Sequence, residues 1–354
     1  MNHYPSNVKE KLNSIILSMA EHHWLFSKNP GHDFTRQHLG KLSFYDTMRL
    51  IISMGKGSTN DEIMDYFDLD PDLIPSQSAF CQRRRQISLS AFEYLFSEFS
   101  SSFPSTTDKF KDHCILACDG CHVVYATNSD IIEDYNKPRL IDYKGYNHMH
   151  LNGFVDVISK AFLDVVIQPG QQPDEREALH SMLDHFTPDD PQKYIITADR
   201  GYESYDLLFH CELKNLGYVF RVKSPSSPKS ILSYYASELP DDLEEFDVTI
   251  KRFFTDKATN IMKSQSDVYR YINPSKNTPH FYELLRKKHS HLYFLQFRVV
   301  KIKTTENTYE YLITNLPFSF TLDDIRECYH WRWGIEISFR YLKHAAGLLY
   351  FHSK

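Results

Sequence analysis

No stretch of the 354 residues holds the roughly eighteen consecutive apolar residues that a membrane helix needs. The opening MNHYPSNVKE lacks the apolar centre of a secretion signal, so the default compartment is the cytoplasm and no membrane partner is expected. Cysteine is sparse, with 6 in the chain, too few for a disulfide framework. Three of them form C-x3-C-x2-C (Cys114, Cys118, Cys121) between His113 and His122. A zinc or iron–sulfur site needs a fourth ligand and usually a second paired motif. The stretch KDHCILACDG reads better as a buried strand in which cysteine serves as a small hydrophobe. No Walker-type glycine loop is present, so ATP is not implied, and no Ser-His-Asp or Cys-His arrangement stands out. Internal repeats are absent too, and low complexity is confined to short serine-rich linkers.

A net charge of −6 argues at first against a nucleic-acid partner, but the charge is unevenly spread. Residues 111–220 hold 9 basic and 18 acidic groups, whereas residues 221–303 hold 15 and 9. Such a chain can meet phosphates on one side and cations on the other. A lysine-rich solvated surface would show the same imbalance.

Helical spacing of Val8, Leu12, Ile15, Ile16, Met19 and Leu25 predicts an amphipathic helix over 6–27. Further helices are expected at about 43–54, 60–67 and 77–99, with Ser58, Thr59 or Asn60 and Ser76 or Ser78 as caps. The pair flanking Pro71–Pro75 resembles a helix-turn-helix, and its second helix bears Arg83, Arg84 and Arg85 as candidate DNA contacts. A small helical domain without a DNA role would look similar. The polar stretch SSSFPSTTDK, residues 100–109, marks a boundary, giving a helical domain over 1–105.

Beyond the boundary the pattern changes to strands. Cys114–Cys118 is a short buried strand, His148–Ile158 and Ala161–Gln168 form a hairpin, and a helix spans Asp174–His185, its acid-rich PDERE start favoured by the helix dipole. A strand at Tyr194–Thr197, a helix near 203–215 and a strand at Tyr218–Val222 complete the order of an RNase H-like α/β core, placed over 110–223. Residues 224–318 break the alternation. They are basic and β-rich, with a hairpin from Phe297–Lys303 to Tyr309–Thr314, and read as an inserted subdomain. The core resumes over 319–354 with a helix at Leu322–Leu349 capped by Thr321. The expected fold is thus an RNase H-like mixed sheet flanked by helices, with a β-rich insertion and an N-terminal helical domain.

Two aspartates stand where a carboxylate is costly. Asp119 follows the apolar run CILAC, Asp199 follows YIITA, and a glycine lies just beyond each (Gly120, Gly201). A carboxylate at the end of a buried strand needs a partner or a metal, and that edge of an open α/β sheet is where ligands bind. If the strands are neighbours, repulsion between the two acids invites a divalent cation. In the last helix, Tyr329, Arg332, Glu336 and Lys343 fall within an arc of about 60° at ~100° per residue, and Arg340 lies close by. Ile335, Phe339, Leu342 and Ala346 form the neighbouring apolar face. One acid among several cations suits a metal ligand beside a DNA phosphate.

The Y-x2-R-x3-E-x6-K spacing of Tyr329, Arg332, Glu336 and Lys343 resembles the signature of a large group of bacterial insertion-sequence transposases of the DDE type. The DRGY at 199–202, the CDG at 118–120 and the TNL at 314–316 are similar to motifs of the same group, so the resemblance covers roughly 110–354. It implies metal binding and catalysis by Asp119, Asp199 and Glu336, and transposon-end contacts by Tyr329, Arg332 and Lys343. It also implies DNA partners (terminal inverted repeats and target DNA) and a homodimer in the DNA complex. Three carboxylates can hold two Mg²⁺ ions, with Mn²⁺ a substitute, for in-line attack on a phosphodiester. The chain departs from that group by ending at Lys354, soon after Lys343, which reads as truncation. Its tryptophans, Trp24, Trp331 and Trp333, also leave none in the insertion to stack on a flipped base. Two rival functions are a stand-alone metal-dependent nuclease, and a truncated, non-catalytic DNA-binding repressor of transposition.

Overall fold

The structure is a computed structural model that describes residues 4–35, 42–102, 109–137, 145–257, 259–273 and 278–349. It divides into two compact units that are not continuous in sequence: Met1–Pro104 with Val123–Met149 and Phe339–Lys354, and Ser105–His122 with His150–Ser338.

The first unit opens with five helices, α1 (Tyr4–Glu21), α2 (Phe44–Ser53), α3 (Thr59–Tyr66), α4 (Gln77–Gln86) and α5 (Leu89–Ser101). Their starts are chemically marked. Ser43 with Asp46 and Ser58 with Asp61 form reciprocal capping boxes, and Ser76 accepts from Ala79 N–H. Ile16, Met19, Phe34, Phe44, Met48 and Ala91 pack as one core, and Leu42, Leu50, Ile63 and Phe80 as another. Two helices are shorter than their periodicity predicts. α1 stops at Glu21 because His23–Phe26 tighten into a 3-10 turn that leaves Leu25 64% exposed. The run expected at 77–99 breaks between α4 and α5, where Ile87 bridges to Ser27 and Ser88 N–H donates to Phe26 O at 2.9 Å. That contact is non-local, so no helical period could announce it. Most of the expected boundary at 100–109 lies outside the described residues.

The strands are β1 (Cys114–Tyr125), β2 (Tyr135–Asn136), β3 (Tyr146–Asp156) and β4 (Phe162–Pro169). Helix α6 (Glu175–His185), β5 (Tyr194–Ala198), α7 (Tyr205–Leu213) and β6 (Gly217–Val222) come next. After them lie β7 (Phe246–Thr255), α8 (Asn260–Ser264), β8 (Tyr269–Tyr271), α9 (Pro279–Lys287), β9 (Leu292–Thr305) and β10 (Thr308–Thr314). Two helices, α10 (Leu322–His330) and α11 (Gly334–His344), end the described chain. In the second unit the sheet order is β4-β3-β1-β5-β6-β10-β9-β7-β8. Strand β1 runs parallel to β5 and β5 to β6, while the end of β3 lies beside the start of β1 (Val157 N–H to Ile115 O, 3.0 Å), so those two are antiparallel. An antiparallel hairpin feeding two parallel strands through crossover helices is the RNase H-like mixed sheet. Leu116, Phe154, Leu179, Ile196, Leu208 and Phe220 belong to the core cluster that this sheet shares with its helices.

Residues 224–318 are β-rich, and their strands lengthen the core sheet rather than make a separate one. β10 pairs antiparallel with β6 (Tyr311↔Val222 to Thr314↔Val219), then β9 with β10 and β7 with β9. A buried cation on β9 secures the exit from this sheet. Arg298, 3% exposed, is paired with Asp247 on β7 and donates to the carbonyls of Leu316 (3.1 Å), Pro317 (2.9 Å) and Phe320 (2.9 Å). It thereby holds the connection into α10, whose start carries the Thr321–Asp324 capping box. Removing one side of so buried a pair typically costs a few kcal/mol. We expect Arg298→Ala to lower stability by on the order of 3 kcal/mol, read as a loss in urea midpoint at unchanged slope. An unaltered midpoint would refute the clamp.

The expected single helix at Leu322–Leu349 is two. A 3-10 turn at Trp331–Trp333 separates α10 from α11, which ends at His344. No described helix is long and apolar enough to cross a membrane.

Candidate active site

Strand β1 does not stop before Asp119, as its apolar run suggests, but continues to Tyr125. The neighbour is what stops. The β1–β5 register ends at Ala117↔Thr197, and β5 itself ends at Ala198. Asp119 therefore stands mid-strand yet just past the edge of β5, where Asp199 begins a 3-10 turn and accepts Gly201 N–H at 2.6 Å. Asp119 in turn accepts Gly120 N–H at 2.9 Å. Cys118 and Tyr202 lie buried below them, Sγ to Oη 3.6 Å.

The third carboxylate arrives from the far end of the chain. The turn between α10 and α11 buries Arg332 (5% exposed), whose guanidinium lies 3.6 Å from Asp119 Oδ2 and 3.5 Å from Glu336 Oε1. One cation thus spans two of the three predicted acids. It lies over the rings of Tyr329 (5.6 Å) and Trp333 (5.3 Å), a geometry that favours a guanidinium. Gly334 lets α11 approach the β3–β4 turn, since a Cβ there would sit 3.2 Å from Val157 O and 2.9 Å from Lys160 Nζ.

A fourth carboxylate, which sequence reasoning missed, closes the group. Glu175, first residue of α6, pairs with the buried His150 of β3 (Nε2 to Oε1, 3.0 Å). A Cβ on Gly120 would clash with His150 Nε2 and come within 2.6 Å of Glu175 Oε1, and one on Gly201 would lie 2.9 Å from Asp199 Oδ1 and 3.9 Å from Glu175 Oε2. The two glycines beyond the two aspartates are thus spaces that Glu175 and its histidine use. The only sequence signal was the acid-rich PDERE, which helix-dipole chemistry explained already.

Burial, countered by Gly120 N–H and Arg332 and reinforced by Asp199 and Glu175, pushes the Asp119 carboxyl up to about 6. A carboxyl raised from 3.8 in the folded state favours folding below that value and loses its contribution as pH rises through about 6. Asp119→Asn, which cannot ionise, is therefore expected to be more stable than wild type above pH 6 without metal. The gain is on the order of 2 kcal/mol and vanishes near pH 4. Melting curves across that range, in chelator, check it. A less stable variant at pH 8 would contradict the cost assigned to Asp119.

The remaining candidates lie elsewhere. Tyr329 is 3% exposed, with its ring 5.6 Å from the Arg332 guanidinium. Further along α11, Arg340 is exposed and Lys343 half-buried, both in the first unit. On α4, Arg83 lies over Phe34 (5.1 Å) and Arg84 over Phe80 (5.7 Å), while Arg85 is exposed. Arg84 and Arg85 line, with Lys28 and Lys56, a cleft of about 1450 Å³ in the first unit, so four cations share one concave surface.

Residues 110–354 match the model of the family described as the transposase DDE domain. No curated protein matches the chain. Among solved structures, the chain is similar to the cryo-EM structure of a piggyBac transposase synaptic complex with hairpin DNA: 10% identity over 84% of this chain, TM-score 0.42. It spans 57% of that chain's length. With more than half of its length matched by that one family model, the chain belongs to the DDE transposase domain family.

Proposed function

We propose that the chain is a transposase that cuts the ends of an insertion sequence and joins them to target DNA by metal-dependent phosphoryl transfer. The observation that carries this reading is the single guanidinium of Arg332 spanning Asp119 and Glu336, which come from distant parts of the chain, with Asp199 beside Asp119. Carboxylates gathered this closely repel unless a cation stands among them. An all-oxygen donor set fits Mg²⁺ or Mn²⁺ and not a thiolate- or imidazole-loving metal. Asp119, Asp199 and Glu336 would hold two such ions, with Glu175 within reach to share the load. Ions held there would supply Lewis-acid activation of the attacking oxygen and charge neutralisation at the leaving 3′ oxygen.

The rest falls to the protein. The β1–β5 edge fixes two carboxylates on the sheet, so the scissile phosphate is positioned by backbone rather than by a mobile loop. Arg332 supplies positive charge before metal arrives, and released from Asp119 and Glu336 it becomes a bidentate donor for a phosphate oxygen. The cleft with Lys28, Lys56, Arg84 and Arg85 suits a duplex backbone, and Arg340 and Lys343 extend the cationic surface available to the terminal inverted repeats. A homodimer on DNA and a cytoplasmic location complete the proposal. Incubating the chain with its flanking inverted repeats should give 3′-hydroxyl ends and strand-transfer products in Mg²⁺ and none in chelator. Products in chelator would end the metal reading, and cleavage without joining would make it a nuclease.

A further inference from the structure

Away from the carboxylates, three helices bring three histidines together: His180 of α6, His210 of α7 and His280 of α9. One ligating nitrogen from each ring lies within 4.8 Å of the others. The remaining ring nitrogens have carboxylate partners. His280 Nδ1 is 2.7 Å from Asp206 Oδ2, and His210 Nε2 is 3.1 Å from Asp184 Oδ1. Asp206 is itself buried and fixed, its Oδ1 accepting the backbone N–H of His280 (3.0 Å) and Phe281 (3.3 Å).

These contacts set the tautomers. A carboxylate on one ring nitrogen places the proton there and leaves the other nitrogen with a lone pair. His280 so presents Nε2, and His210 presents Nδ1, the atom 2.9 Å from His180 Nδ1. His180 Nε2 lies 3.7 Å from Asp206 Oδ2, so its proton too can sit on the carboxylate side. Three neighbouring ring nitrogens with free lone pairs, on rings backed by acids, meet the outer-partner requirement of metal-binding histidines. Without a cation, His180 must instead spend its proton on His210.

We propose that His180, His210 and His280 bind one divalent transition metal of the zinc class, with Asp184 and Asp206 orienting the rings. Imidazole donors select such ions over Mg²⁺. Burial keeps His180 and His210 neutral, the ligating form, pushing them down to about 4 and about 2. A cleft of about 690 Å³, lined by Asp174, Glu177, Ser181 and Ser204 beside His180 and His280, offers a path in and room for a fourth ligand. The rings lie nearly parallel, His280 stacked on His210 at 3.8 Å and on His180 at 4.6 Å. Coordination therefore asks His180 and His280 to turn about the Cβ–Cγ bond, a soft torsion for imidazole. The ion would pin α6, whose first residue is Glu175 of the carboxylate group, to α7 and α9.

The test uses the full chain, stripped with chelator and titrated with Co²⁺ and Zn²⁺. We expect one equivalent of Co²⁺ with the intense visible bands of a four-coordinate site, and a raised melting temperature with equimolar Zn²⁺ but not with Mg²⁺. His180→Gln and His280→Gln, both partly exposed positions, should weaken this binding at least tenfold, and Asp184→Asn by about tenfold, an outer partner's usual effect. Asp199→Ala should leave the bands intact, which separates this site from the carboxylates. If the bands persist in both histidine variants, or vanish in Asp199→Ala, the three histidines are not the ligands. A wild-type chain without Co²⁺ bands would overturn the site outright.

Discussion

Asp199→Ala protein, supplied with transposon-end DNA and Mg²⁺, should cut on the order of 10³-fold more slowly than wild type while binding the ends within about threefold of it. The reason is positional. Asp199 begins a turn at the end of β5, where its carboxylate accepts Gly201 N–H and lies among the acids around Asp119, so under the proposed function its loss would remove a cation ligand and little else. Affinity for DNA comes mainly from phosphate contacts to cations, none of which this change touches. Asp199→Asn keeps the hydrogen bond to Gly201 and should be equally slow, which excludes a collapse of the turn. Cutting at near wild-type rate by either variant would remove Asp199 from the chemistry.

Arg332→Ala should show its largest effect on stability. The guanidinium is almost wholly buried, and its removal leaves Asp119 and Glu336 without their shared counter-charge. Breaking a buried pair costs roughly 3–5 kcal/mol. Glu336 is 41% exposed at its side chain and screened by water, so a loss of about 2–3 kcal/mol is the better figure. Charge supplies a second signature. Under the proposed function Mg²⁺ would replace the missing cation, and it should raise the melting temperature of Arg332→Ala more than that of wild type. Lys343→Ala should melt close to wild type and flatten the salt dependence of end binding by about one in the slope of log K against log salt. If Arg332→Ala instead melts like wild type, its guanidinium is not the counter-charge of these acids.

Much of this architecture is legible in the chain because it rests on local chemistry. Ser43, Ser58 and Thr321 cap helices through bonds that span three residues, and the hairpin of β9 and β10 arises from alternation around a polar turn. The aspartates stand out for the same reason, as charges next to apolar runs. What escapes is set by partners far away in sequence. The break at Ile87 depends on Ser27, and the continuation of β1 past Asp119 depends on where β5 stops. The turn at Trp331–Trp333 buries Arg332 against Asp119, which a helical wheel of the last helix cannot include. Glu175 and His150 are the sharpest case. Each has an ordinary local explanation, and only the space left by Gly120 and Gly201 shows that they meet.

The pairing of β10 with β6 has an evolutionary side. Val222 and Tyr311 face each other across an antiparallel ladder, so the chain leaves the core and re-enters it at one doorway. The register of β1, β5 and β6 is set by core strands alone, while Phe254, Phe281 and Leu284 beyond the doorway belong to the same buried cluster as Leu116 and Ile196. Arg298 ties the excursion to the returning chain, reaching back from β9 to grip Leu316, Pro317 and Phe320. A variant that loses the β9 arginine must find another way to seat α10, which leads into the helix bearing Glu336.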